Sequence, residues 1–270
     1  CHLMFVIKCP ECKSYMVKKH SENPLRFKCK LCHNTFSLNI PSINHEGQAK
    51  RLSSLEIAKI LADLKLGKSE NEILSQYGIS RATLYRIKDK SKSFRWVFTW
   101  RLNYESDFEF LKNEALKGRL RQGWGWCDLR KGIINFADAW KKLNPNVSNE
   151  EIEKRFNILK VMILANPGDI VLVPKFNGSH TFMLAKIKNG YNFSFPPGYN
   201  DYGHYVEIEG IKVFSSTFES PEDAKVGFNL DVQIINEFLR TTKRFYTAIS
   251  VMGDEYSTII KVLENLLNPG

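Results

Sequence analysis

Apolar residues in this chain change their spacing several times, and each change marks an expected element. Between residues 5 and 38, Tyr15-Met16-Val17 and Leu25-Arg26-Phe27 alternate enough to form a short β-hairpin. From Leu55 the spacing becomes helical. Leu55, Ile57, Ile60, Leu61 and Leu64 share one face, Ser53 or Ser54 can cap it, and Gly67 can end it. Ser69 caps a second helix, with Glu72 three residues on as in a capping box, and Ile73, Leu74 and Tyr77 face inward. Gly78-Ile79-Ser80 turns the chain into a third helix over about Arg81–Lys90.

Beyond that helix the period shortens to two. Ser93–Asn103 is dense in aromatic and β-branched residues and reads as a strand. Its alternation places Phe94, Trp96, Phe98 and Trp100 on one side and Arg95, Val97, Thr99 and Arg101 on the other. Asp107–Lys117 reads as a helix, and helical spacing returns at Phe136–Trp140 and Ser148–Met162, with Trp140 expected as core between the two. Strands are expected at Ile170–Pro174, Thr181–Ile187, Tyr191–Phe195 and Tyr205–Phe214, the last broken at Gly210, with a loop over Pro196–Gly203. Asp231–Leu239 and Tyr256–Leu267 read as helices. Ile40–Arg51 and Lys88–Lys92 read as linkers, which divides the chain into segments 4–39, 52–91 and 93–270.

Charge sharpens that division. The formal net charge is +10. Residues 1–95 hold 18 Lys or Arg against 8 Asp or Glu, whereas residues 96–270 hold 21 of each sign. A basic head on a neutral body suits a nucleic-acid partner, because neutralising phosphates supplies most non-specific affinity. No run of apolar residues is long enough to span a membrane, and no signal peptide is expected, so the expected location is cytoplasmic, nucleoid-associated if prokaryotic. Cys1-His2-Leu3 is expected to be a cloning remnant ahead of a natural start at Met4.

Candidate chemistry begins with the cysteines. Cys9-Pro10-Glu11-Cys12 and Cys29-Lys30-Leu31-Cys32 form two CxxC pairs separated by sixteen residues. Each pair presents two thiolates from a tight turn, and together they complete a tetrahedral site for structural Zn²⁺. Two disulfides, or an iron site, are the alternatives. The stretch Phe5–Leu38 resembles a zinc ribbon, whose metal supplies folding energy and whose full coordination sphere excludes catalysis.

The segment Gly78-Ile79-Ser80-Arg81-Ala82-Thr83-Leu84-Tyr85-Arg86 resembles the recognition helix of the resolvase/invertase and transposase families, and Leu52–Lys90 follows their trihelical helix-turn-helix pattern. On that helix Ile79, Leu84 and Ile87 pack inward. Ser80, Arg81, Thr83, Tyr85, Arg86 and Lys88 are left for phosphates and base edges of double-stranded DNA.

Gly118–Leu129, read as GRLRQGWGWCDL, carries the other candidate site. Glycines Gly118, Gly123 and Gly125 suit a backbone at positive φ, and Trp124 and Trp126 offer flat faces for stacking a base. The bland alternative is a turn whose indoles plug the core. Arg119 and Arg121 would contact phosphates at the pocket mouth. The order of Gly123-Trp124, Asp128-Leu129, a helical insertion, Asn166–Val173, an aromatic strand end near Tyr191 and a strand entry at Asp201–Val206 resembles EVE-like domains. These belong to the PUA superfamily, are related to YTH domains, and occur in McrB-type restriction proteins. The resemblance covers roughly Trp96–Phe218 and implies a β-barrel-like pocket for a flipped, modified, commonly methylated base. It places Trp124 on the family's glycine-tryptophan position, with Gly123, Asp128, Tyr191 and His204 on its other marks; Trp126 is read as a second wall outside that pattern, and Trp96 or Trp100 as the residue that completes the cage.

The expected fold class is therefore α+β multidomain: a zinc ribbon, a trihelical helix-turn-helix, and a PUA/EVE-like β-barrel domain with helical insertions. The expected function is recognition of a modified base in DNA, with a nuclease or helicase as a possible partner. No HNH pattern, Walker A loop or GxSxG elbow occurs. Late in the chain the only fit to a nuclease acid-x-Lys pattern is Asp223-Ala224-Lys225, with Asp201 or Glu207 as the upstream acid, and it falls in an expected loop. The reading leans to a non-catalytic binder, with an endonuclease of unrecognised active site, or an RNA-binding PUA-like protein, as alternatives. Cys127 is expected to be buried and inert.

Overall fold

A computed structural model describes residues 11, 17–22, 25–33, 35–37, 52–91, 96–102, 106–178, 181–215, 230–241, 248–253 and 256–268. Within them the chain is mixed α/β and falls into two compact units, Cys1–Arg51 and Leu52–Gly270.

The first unit carries a three-stranded antiparallel sheet of β1 (Val17–Glu22), β2 (Leu25–Cys29) and β3 (Thr35–Ser37), in that order. The expected hairpin is thus present, with a third strand added. Cys29 ends β2 and is buried, whereas Cys32 is exposed. The Leu31 amide donates to Cys29 Sγ at 3.4 Å, and His33 adopts φ +61° just past Cys32. Cys9 and Cys12 lie outside the described residues.

The second unit opens with three helices, α1 (Ser54–Lys65), α2 (Glu70–Tyr77) and α3 (Arg81–Ser91). Capping chemistry sets their starts. Ser53 and Ser69 accept from the amides of Glu56 and Glu72, whose carboxylates reach back to the cap amides. Ile60, Ile73, Leu84 and Ile87 form the shared core of these helices. The opposite side of α1 has a different fate. Ala58 and Ala62 are fully buried in the main core of the body, with Leu55 and Leu66 packed against it.

That body is a curled, half-barrel sheet of six strands in the order β5-β8-β7-β6-β4-β9. The strands are β4 (Val97–Trp100), β5 (Arg119–Gln122), β6 (Ile170–Pro174), β7 (Thr181–Phe193), β8 (His204–Ser215) and β9 (Ile249–Met252). β4 and β6 run parallel, and the other pairings are antiparallel. One face packs Phe98, Trp100, Leu120, Val171, Met183 and Val206 into the main core. The other packs Val97, Ile170, Leu172, Phe182 and Leu184 under α7 (Leu230–Thr241) and α8 (Ser257–Leu267). Both faces of β4 are therefore buried, where an apolar and a polar side had been expected.

Three further expectations are corrected. Thr181–Phe193 is one strand, because its register against β8 slips at Lys186, Asn189 and Tyr191, and bulges bend a strand without ending it. β8 runs through Gly210 unbroken. Arg119–Gln122 is a strand rather than part of a turn, and β9 was not anticipated. Helices α4 (Phe108–Leu116) and α6 (Asn149–Leu159) fall where expected, α5 (Gly132–Leu143) extends beyond the expected Phe136–Trp140 at both ends, and α6 passes at Lys160 into a 3-10 segment, Lys160–Leu164. No helix among the described residues is long and apolar enough to cross a membrane.

Candidate functional site: an indole-walled cavity

The chain leaves β5 at Gln122 and makes a tight loop before a 3-10 turn at Leu129–Lys131. Positive φ falls within this loop on Trp124 itself, at +55°, and not on Gly123 or Gly125. A bulky residue held there costs on the order of 1–3 kcal/mol, so its surroundings must impose the conformation.

Three contacts impose it. The Gly125 amide donates to Asp201 Oδ1 at 2.6 Å. A Cβ on Gly125 would lie 2.2 Å from the Gly203 nitrogen, and one on Gly203 would lie 2.5 Å from the Gly125 oxygen. The two backbones can abut only because both residues lack side chains. Finally, the Trp124 carbonyl accepts from His204 Nε2 at 3.1 Å.

His204 is fully buried, and burial lowers its pKa to about 4, so it is neutral at pH 7. A carbonyl can only accept, which puts the imidazole proton on Nε2 and leaves Nδ1 to accept from the Tyr191 hydroxyl at 2.9 Å. That hydroxyl in turn accepts from the Leu129 amide at 2.9 Å. Burial pushes the Tyr191 phenol up. Asp128 caps the 3-10 turn and forms a two-pronged pair with Arg130, whose guanidinium lies 5.4 Å from the Tyr191 ring centre. Burial opposes ionisation of Asp128, but the bonds from Arg130 outweigh it and hold the carboxyl below its ordinary range. Asp128, Tyr191 and His204, expected as pocket walls, are thus the support behind the turn.

In front of the turn lies an open cavity of about 540 Å³. Trp124, Trp126 and Trp140 line it together with Val147, Glu151 and Asp201. Trp126 and Trp140 meet at 5.4 Å with their rings tilted by 45°. The Arg155 guanidinium lies 4.3 Å from the Trp124 ring centre and 3.5 Å from Glu151 one helical turn earlier. Burial raises the Asp201 carboxyl above its ordinary range, despite bonds from the amides of Gly125 and Tyr202.

Two expected site residues move elsewhere. Trp100 is fully buried, and its indole donates to the Arg121 carbonyl at 3.0 Å, so it is core and not cage. Arg121 is also buried and cannot meet a phosphate. Its guanidinium pairs with Glu114 at 2.8 Å, bonds the carbonyls of Ser194 and Tyr202, and lies 4.8 Å from the Tyr205 ring centre. Arg119 is half-exposed and shares Glu114 with it.

Among the cavity residues not assigned to it from the sequence are Trp140, Glu151 and Asp201. Trp140 was read as core, and its low exposure agrees, yet one edge lines the cavity. Its helical spacing from Phe136 gave only the packing half of that role. Glu151 has the sequence setting of an ordinary first-turn acid, and Asp201 opens the Asp201–Val206 strand entry that the resemblance marks without being assigned to the pocket. Cys127 is buried, and burial pushes its thiol up.

On α3, Leu84 and Ile87 face inward as expected. Ser80, Arg81, Tyr85 and Arg86 are exposed, and Thr83 is half-buried with its hydroxyl 2.9 Å from that of Ser80. Lys88 is partly engaged by Glu70, and Arg81 donates to Asn71 at 3.2 Å.

No family model, curated protein or solved structure matches this chain.

Proposed function

We propose that the protein is a DNA-binding reader that takes one modified base into the indole-walled cavity, with a basic head gripping the duplex. The observation that carries this reading is the convergence of Trp124, Trp126 and Trp140 on one open cavity. Stacking a base on an aromatic side chain is worth roughly 1–3 kcal/mol, enough to offset the few kcal/mol of unstacking. A half-barrel sheet with helices between β5 and β6 supports a PUA/EVE-like assignment. Glu151 and Asp201 line the cavity beside Asn144 and Asn146, so it offers carboxylates to the N–H donors of a base and carboxamides to its carbonyls.

The exposed face of α3 supports a helix-turn-helix use against phosphates and base edges. In the first unit, the amide-to-Sγ bond at Cys29 and the left-handed His33 suit a metal-binding knuckle. Cys9, Cys12, Cys29 and Cys32 would hold a structural zinc ion there.

The test is equilibrium binding of the full chain to duplexes bearing a single N6-methyladenine, N4-methylcytosine or 5-methylcytosine, or none. We expect one modified duplex to bind about 10- to 200-fold tighter than the unmodified one, the range for one extra carbon in an apolar pocket. Trp124→Ala should abolish that preference and change unmodified affinity by less than about twofold. Equal affinity for all duplexes overturns the reading.

A further inference from the structure

Helix α6 and the 3-10 segment that continues it link the cavity to the three-helix unit that carries α3. Near its start Glu151 lines the cavity, and one turn later Arg155 lies against the Trp124 ring. The helix then passes into the 3-10 segment at Lys160, which reaches the three-helix unit. Lys160 is 1% exposed, and its ammonium donates to Asp63 Oδ1 of α1 at 2.7 Å. Tyr77 of α2 donates to the other oxygen of Asp63 at 2.6 Å, and Lys160 lies 3.3 Å from that hydroxyl. Three residues on, the Ile163 carbonyl accepts from Lys65 at 2.8 Å. The apolar contacts agree, since the core that buries Ala58 and Ala62 of α1 also backs Trp124 and Trp126.

A recognition helix on a flexible tether would share none of this. Buried pairs of this kind fix orientation, because sliding either partner leaves a charge stranded in the interior. Meanwhile α3 keeps Arg81, Tyr85 and Arg86 exposed.

We propose that α3 and the indole cavity read one duplex at a single fixed offset, so that the helix contacts lie a constant number of base pairs from the extruded base. This rests on the base-reading function above and adds to it a spacing rule. A flexible tether would let affinity decline only gradually with spacing. A rigid joint makes the two contacts one composite surface.

The test is hydroxyl-radical footprinting of the full chain on a duplex several helical turns long, carrying the modified base that binds most tightly. Protections lost in Arg86→Ala, and independently in Tyr85→Ala, mark where α3 sits. Both side chains are exposed, so the variants should fold. The modified base is then moved along the duplex in single base-pair steps. The expected result is that the protections dependent on α3 move by one base pair per step and keep their offset. Protections that stay in place, or that spread over the duplex while modified DNA is still preferred, overturn the fixed offset alone. Identical footprints on modified and unmodified duplexes overturn base reading, and the offset with it.

Discussion

The imidazole Nε2 of His204 donates to the carbonyl oxygen of Trp124 across 3.1 Å, pinning the one indole whose backbone is left-handed. Because burial holds His204 neutral, with a pKa of about 4 against an ordinary value of 6.5, this bond is linked to pH. An unfolded chain protonates the imidazole below about pH 6.5, whereas the folded chain resists until about pH 4. Stability should thus be complete above pH 6.5 and fall as pH drops towards 4, by roughly 3 kcal/mol for this group. Asp201, with its carboxyl raised, works in the opposite sense at the acidic end. Urea unfolding of wild type and His204→Gln across this range isolates the histidine. The variant should be weaker at neutral pH and show a flatter pH dependence, and parallel curves would refute the assignment.

Gly125→Ala tests the abutting backbones. The new methyl would meet the Gly203 nitrogen at 2.2 Å, where no side chain can swing aside. We expect a loss of about 2–3 kcal/mol, typical of overpacking at a site that cannot relax. Alanine keeps the amide that donates to Asp201, but the backbone shift that admits the methyl would pull it away from Asp201 Oδ1. Urea midpoints give the first effect. Loss of modified-base preference at temperatures where the variant is still folded gives the second.

The buried pair joining α1 to the body calls for a cycle of substitutions. Asp63→Leu strands the Lys160 ammonium and should cost about 3–5 kcal/mol. Adding Lys160→Met removes the stranded charge and should recover most of that loss. The double variant then reports whether the pair serves stability or orientation. Near-native stability with diffuse footprints would mean orientation, whereas additive losses in unfolding experiments would contradict coupling through this pair.

Most elements were legible because local chemistry and burial agree along them. Capping boxes at Ser53 and Ser69 marked helix starts, and apolar spacing found the inward faces of α1 to α3. Sequence spacing fails where a residue has two partners at once. Trp140 packs on Phe136 and still lines the cavity, and Arg121 resembles a surface cation until Glu114 is brought beside it from α4. The second face of α1 was hidden for a similar reason, since alanines at 58 and 62 look neutral until a core closes over them. Lys160 gave no sign of being buried, because only tertiary contact supplies Asp63 and Tyr77. The cavity acids were illegible because their meaning depends on three indoles from two separate segments.

Metal removal makes the last prediction. With Cys29 at the end of β2 and Cys32 past the turn, the three-stranded sheet of the first unit has little apolar material of its own, and a zinc ion would supply its folding energy. Thiolates must be deprotonated to bind metal, so acidification and chelation should act alike. The second unit has its own large core and no expected metal ligand, and it should be indifferent to chelation, while acid acts on it separately through groups such as His204. Hydrogen exchange after chelation should therefore show lost protection across Val17–Ser37 and unchanged protection across β4 to β8. Cys32→Ser should reproduce the loss in the first unit without chelator, and zinc released on thiol modification should approach about one ion per chain. Unchanged exchange in Val17–Ser37 on chelation would show that the sheet folds without metal, and would reassign the two CxxC pairs to another chemistry.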